Sequence, residues 1–281
     1  MFRTKNVFRI LLCIFLLQSN QSFTQELYVF SEPASNMPAH SLSIKQTAKI
    51  LHNDFSKRTE SRHTTELMFG VNKNLMIHTS TTFSDMYSTN LKWESAKLYM
   101  KYRFLSNDGV HSHFRMAAFA EGSYSRNDAA YQELSLDGDQ SGVQAGVIAT
   151  QLLHKLAVSS SVSISEILQS TRGQKSGAPL FVPAVPYEAF NYSLSAGYLV
   201  LPKKYTSYDQ TNLNLYIELL GQRTTDLKRY FIDLAPAAQL IFKSTAKLNL
   251  GYRFQVNSNM YRMSERSWLI SFEWLFLDAL K

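Results

Sequence analysis

The sequence predicts an all-β fold, a transmembrane antiparallel up-and-down β-barrel of about twelve strands. Three observations carry that expectation. Apolar and polar residues alternate along twelve successive runs, the signature of strands with one greasy and one wet face. Most of the runs are about 9 to 13 residues long, whereas strands of soluble proteins peak near 5–6 and tilted membrane strands need about 9–11. The connections are unequal, and with the amino terminus placed on one side every tight turn falls on that side while both long loops fall on the other.

The chain opens on a secretory leader. Arg3, Lys5 and Arg9 form a basic start, 10–17 is an unbroken apolar run, and Ser22-Phe23-Thr24 offers the small residues that a signal peptidase reads, so residues 1–24 are expected to be removed. The run is too short to cross a bilayer as a helix, which takes about 20 residues. Cys13 is the only cysteine and lies inside this run after Leu12, where a lipoprotein signal would need a small residue. Disulfides, thiolate zinc sites and cysteine catalysis are therefore excluded from the remaining chain. The three leader cations account for part of the formal charge of +7, and no clustered basic patch accompanies the rest, so nucleic acid is not an expected partner. In 25–40, Pro33 and Pro38 break any strand ladder. That segment either folds into the lumen as a plug or lies on the periplasmic side.

Strand candidates follow at 42–51, 62–71, 75–83, 93–105, 113–125, 142–153, 156–166, 187–201, 211–220, 230–242, 246–256 and 267–277. The first sets Leu42, Ile44, Ala48 and Ile50 against Ser43, Lys45, Thr47 and Lys49. The second sets Leu67, Phe69 and Val71 against Thr64, Glu66 and Met68, and the third Leu75, Ile77 and Phe83 against His78, Ser80 and Thr82. The fourth has the longest clean alternation, Ala96, Leu98, Met100, Tyr102 and Phe104 opposite Lys97, Lys101 and Arg103. The fifth places Arg115, Glu121 and Ser123 opposite Phe114, Met116, Ala118, Ala120 and Tyr124; the sixth and seventh alternate less cleanly. The eighth has Phe190, Tyr192, Leu194, Ala196, Tyr198 and Val200 on one face, and the ninth Leu213, Leu215, Ile217 and Leu219 against Asn212, Asn214, Tyr216 and Glu218. The tenth, 230–242, leads into the eleventh, which alternates Leu248, Leu250, Tyr252 and Phe254 with Lys247, Asn249, Arg253 and Gln255. The twelfth carries Trp268, Ile270, Phe272, Trp274 and Phe276. The turns 72–74, 154–155 and 243–245 are tight, 126–141 and 167–186 are long, and aromatics gather toward strand ends as interfacial girdles do.

The chain resembles the outer-membrane β-barrel proteins of Gram-negative bacteria. Its last strand, Ser-Trp-Leu-Ile-Ser-Phe-Glu-Trp-Leu-Phe at 267–276, is similar to their terminal insertion signal, although the chain continues past the aromatic residue on which such chains usually stop. The resemblance covers 41–277, with a short tail at 278–281. It implies outer-membrane lipid and the outer-membrane assembly machinery as partners, and a location more than an activity.

On this reading the lumen-facing charged residues are Lys45, Lys49, Glu66, Lys97, Lys101, Arg103, Arg115, Glu121, Glu218, Asp233, Lys247, Arg253 and Glu273, eight basic and five acidic. A mildly basic wet passage for a small polar or anionic solute follows, with a salt-bridged, plugged interior and functional outer loops as the alternative. Symmetric pairing about Gly109 would set Lys97 opposite Glu121 and Arg103 opposite Arg115. His40, His111, His113 and His154 map near the periplasmic rim close to Met37, but without fixed ligand spacing, so no metal is expected. Barrel phospholipases carry a His-x-Ser-Asn-Gly motif, and His111-Ser112-His113 lacks its asparagine and glycine. No catalytic residue and no cofactor is assigned.

Overall fold

The computed structural model describes residues 28–109, 112–128, 130–168, 185–203 and 209–280. The expected leader, most of the 167–186 loop and His111 lie outside these residues.

Twelve strands form one closed ring in sequence order: β1 (Ser41–His52), β2 (Thr59–Gly70), β3 (Leu75–Ser84), β4 (Lys92–Asp108), β5 (Ser112–Ser125), β6 (Gly142–Leu153), β7 (Leu156–Ile167), β8 (Glu188–Leu201), β9 (Asn212–Thr224), β10 (Tyr230–Phe242), β11 (Ala246–Ser258) and β12 (Arg266–Phe276). Every neighbouring pair is antiparallel, and β1 closes on β12 from Leu42↔Phe276 to Leu51↔Ser267. Closure leaves no open edge, so the strands satisfy their own backbone hydrogen bonds without help from water.

The strand ends joined through 71–74, 109–111, 154–155, 202–211 and 243–245 lie at one end, the turn end, together with Ser41 and Phe276. The strand ends joined through 53–58, 85–91, 126–141, 168–187, 225–229 and 259–265 lie at the other, the loop end.

Burial is inverted relative to a soluble protein. Leu98 (58%), Leu194 (54%), Ile217 (49%) and Trp268 (50%) stand on the outside, while Ser195, Glu218 and Lys101 on the inner face are fully covered. An apolar belt this continuous is not left in water, and a closed ring of self-satisfied strands is what lipid accepts in its place. Trp93 stacks on Tyr124 at the loop end, and Trp274 and Phe276 stand at the turn end, one aromatic group at each rim.

Two expectations of pairing are corrected. Lys97 lies opposite Ser123, not Glu121, and reaches Glu121 diagonally. Arg103 lies opposite Ala117 and Arg115 opposite Ser106, because the hairpin closes on Asp108↔His113, past Gly109, which sets the two guanidiniums apart along it; the bulge between Arg103 and Leu105 changes the register by one residue only.

Candidate functional site

The inner wall is a set of cross-strand charge pairs. Lys45 faces Glu66 at 3.9 Å, and Glu66 also holds the His78 ring at 2.9 Å. Lys97 lies 3.3 Å from Glu121, and Lys247 lies 3.0 Å from Glu273 directly across from it. Arg253 takes Asp233 at 2.6 Å, and Arg115 takes Asp108 at 2.8 Å. Arg103 sits at the turn end and donates to the Lys73 carbonyl at 2.6 Å. Lys101 takes its partners from outside the wall, and so does Glu218 apart from the Ser195 hydroxyl at 3.2 Å.

Those partners belong to the amino-terminal segment. Residues 28–40 enter the lumen and cross it as a strap. Tyr28 packs on Tyr216 with ring centroids 5.7 Å apart, in a cluster with Ala157 and Ala237. Farther along, Ala34 packs on Ala117 and Ile148, and Met37 on Met68 and Met76. The strap thus touches β9 and β10 first, then β5 and β6, then β2 and β3, spanning the ring from one side to the other.

The loop 126–141 also turns inward over part of its length. Its carboxylates meet buried cations. Glu133 accepts from Arg253 at 2.9 Å and Arg262 at 2.8 Å, and Arg262 also clasps Asp233 while lying over the Phe231 ring. Asp139 accepts from Arg62 at 2.7 and 3.2 Å and from the Tyr87 hydroxyl at 3.0 Å. Asp137 reaches Lys97. Gln222 on β9 receives the Leu134 N–H and donates to the Leu134 carbonyl, both at 2.8 Å. Gly138 makes this approach possible: its φ is +110°, and a Cβ there would come within 2.9 Å of both Arg62 and Glu94. Burial alone would lift the Glu133 carboxyl, but Arg262 and Arg253 hold it well below the usual carboxylate range. Burial likewise opposes the Arg262 charge, and Glu133 and Asp233 more than offset it.

Between strap and loop lies a cavity of about 270 Å³. The charged groups on its wall are Lys45, Lys49, Arg62, Lys97 and Arg253 against Glu32, Glu66 and Asp137. Among the described residues the half-buried Lys49 ammonium has no ion-pair partner, which sets it apart from the other cations there. No cluster of histidine and carboxylate able to hold a metal occurs among the described residues; His113 pairs with Asp108 at 2.9 Å.

Sequence reasoning missed several of these groups. Arg62 shares the inward parity of Thr64 and Glu66, and counting by twos along its strand finds it. Glu94 has the parity of the lipid-facing Ala96 and Leu98; it points inward because the register shifts between Thr82 and Phe83 and leaves it as the bulged residue. Glu32, Glu133, Asp137, Asp139 and Arg262 come from the strap and the loops, where alternation has no meaning. These additions bring five carboxylates and two guanidiniums to the lumen and cancel the positive excess read from the strands.

No protein-family model and no curated protein matches this chain. Solved structures do. The COG4313 outer membrane channel from Pseudomonas putida F1 aligns with 89% of this chain and 100% of its own at a TM-score of 0.57 and 11% identity. The NanC porin aligns with 83% of this chain and 98% of its own (TM-score 0.48, 8% identity). The KdgM porin covers 83% and 99% (TM-score 0.46, 7% identity). Likeness at such identities concerns the fold: this chain has the closed barrel of outer-membrane β-barrel proteins.

Proposed function

We propose that the protein is an outer-membrane, porin-like channel, exported behind a removed leader, that passes small polar solutes with a mild preference for anions. The observation that carries this reading is the polar cavity inside the barrel, whose wall holds five basic and three acidic side chains and an unpaired Lys49. Fixed positive charge on a narrow, poorly solvated wall concentrates anions. The outer apolar belt supports residence in lipid, and membrane fractionation with a heat-shifted mobility on gels tests that part.

Passage is tested by liposome swelling. Vesicles carrying the purified barrel should admit small carboxylates and neutral sugars faster than empty vesicles, and carboxylates faster than ammonium-type cations of equal size. The strap and the infolded loop favour a second reading, a plugged barrel that is structural or binds partners through its outer loops. Folded protein that leaves swelling at the empty-vesicle rate would select it.

A further inference from the structure

The strap is held by the wall as a ligand is held in a site. Val29, Phe30 and Ser31 aim three successive backbone N–H groups at one carboxylate, Glu218, at 2.9 Å each, and the Ser31 hydroxyl adds a fourth bond at 2.7 Å. On the facing wall the Lys101 ammonium donates to Glu32 at 3.0 Å and to the Pro33 and Ser35 carbonyls at 2.8 and 2.9 Å. Both wall residues are 0% exposed. Thr150 accepts the Ala34 N–H at 2.9 Å, and Gly251 makes room for Phe30, since a Cβ there would lie 2.5 Å from the ring.

An isolated ion of either sign inside a barrel wall is costly, and here each is satisfied by main-chain groups of the strap. Main-chain hydrogen bonds with a side-chain pocket between them recognise a peptide by its backbone, and three successive N–H groups converge on one carboxylate because the chain bends at 29–31. These contacts read the main chain of a bent segment, and its covalent link to Ser41 tethers it.

We propose that residues 28–37 are a displaceable plug: the turn-end half of the lumen is a receptor for a peptide segment, filled by the chain's own strap, and its release widens the passage. The widening rests on the channel reading above; the receptor does not.

The test replaces 28–37 by a Gly/Ser segment of equal length in the full chain, with folding checked by heat-shifted mobility. The probe is a fluorescent peptide, Tyr-Val-Phe-Ser-Glu-Pro-Ala-Ser-Asn-Met. It should bind the strapless barrel in detergent, at least tenfold more weakly to the native protein, and at least tenfold more weakly when Glu218→Gln or Lys101→Met is added. A scrambled peptide should not bind. In bilayers the strapless barrel should conduct several-fold more than the native one, and added peptide should reverse this. No peptide binding to folded strapless barrel overturns the receptor. Binding without any rise in conductance, where the native barrel conducts, overturns the plug and leaves the channel standing. Conductance absent from both overturns the channel reading and the widening with it, while the peptide titration still decides the receptor. If the replacement does not fold, Glu218→Gln with Lys101→Met in the native chain should speed exchange of the Ala34 amide at least tenfold, and unchanged protection overturns the proposal.

Discussion

Replacing Asp139 with alanine should undock the inner end of the 126–141 loop without disturbing the ring. Asp139 receives two bonds from Arg62 and one from Tyr87, and the Arg62 and Asp139 side chains are only 3% and 17% exposed. Hydrogen bonds to charged groups contribute about 1.5–3 kcal/mol each, but these three act as a unit and Arg62 keeps Glu94 at 2.8 Å. A net loss of about 3 kcal/mol is therefore expected, below the upper range for leaving a buried charge with no partner at all. At about 1.4 kcal/mol per factor of ten, the loop's opening equilibrium shifts by roughly two orders of magnitude. The readout is hydrogen exchange at Leu134, whose N–H is held by Gln222 inside the lumen. Its protection should fall about a hundredfold, while amides in the β9–β10 ladder keep theirs. An unchanged Leu134 rate, in protein whose strand amides remain protected, would refute the claim that the Arg62–Asp139 contact holds the loop.

Other expectations follow from the same geometry. Glu133 is held below the carboxylate range by two arginines, so its share of the docking energy is fully present above its ordinary value of about 4.3 and is lost as pH falls through the lower folded value; conductance should stay flat from neutrality to mildly acidic pH and rise only in stronger acid. Lys49→Glu leaves four basic and four acidic side chains on the cavity wall, so it should abolish the mild anion preference, read as a reversal potential that moves to near zero under a salt gradient. Ile217→Lys puts a charge on the outer face midway along β9, where it should cost about 2–4 kcal/mol in a urea refolding titration into vesicles.

Much of this architecture is legible in the sequence. Alternation located all twelve strands, since a period of two is imposed by the pleat wherever one face meets lipid and the other water. The long 126–141 loop was legible as a loop, but its inward course depends on Arg62, Arg253 and Arg262 being brought together by closure of the ring, which no local pattern encodes. Two failures of counting have different causes: a bulge turns Glu94 inward, and a hairpin that closes on Asp108↔His113 instead of about Gly109 takes Arg103 and Arg115 out of opposition. Lys101 was correctly placed on the inner face by parity, yet its role differs from that of an open-lumen charge because the strap covers it completely. Pro33 and Pro38 excluded a strand, and only the buried Glu218 and Lys101 show where the segment goes instead.

Single-channel recording in a planar bilayer decides whether solutes pass through the barrel. Purified, heat-shiftable protein should give small, discrete steps with a reversal potential on the anion side under a salt gradient. Folded protein that inserts and gives no steps, with the strap present or replaced, would contradict passage.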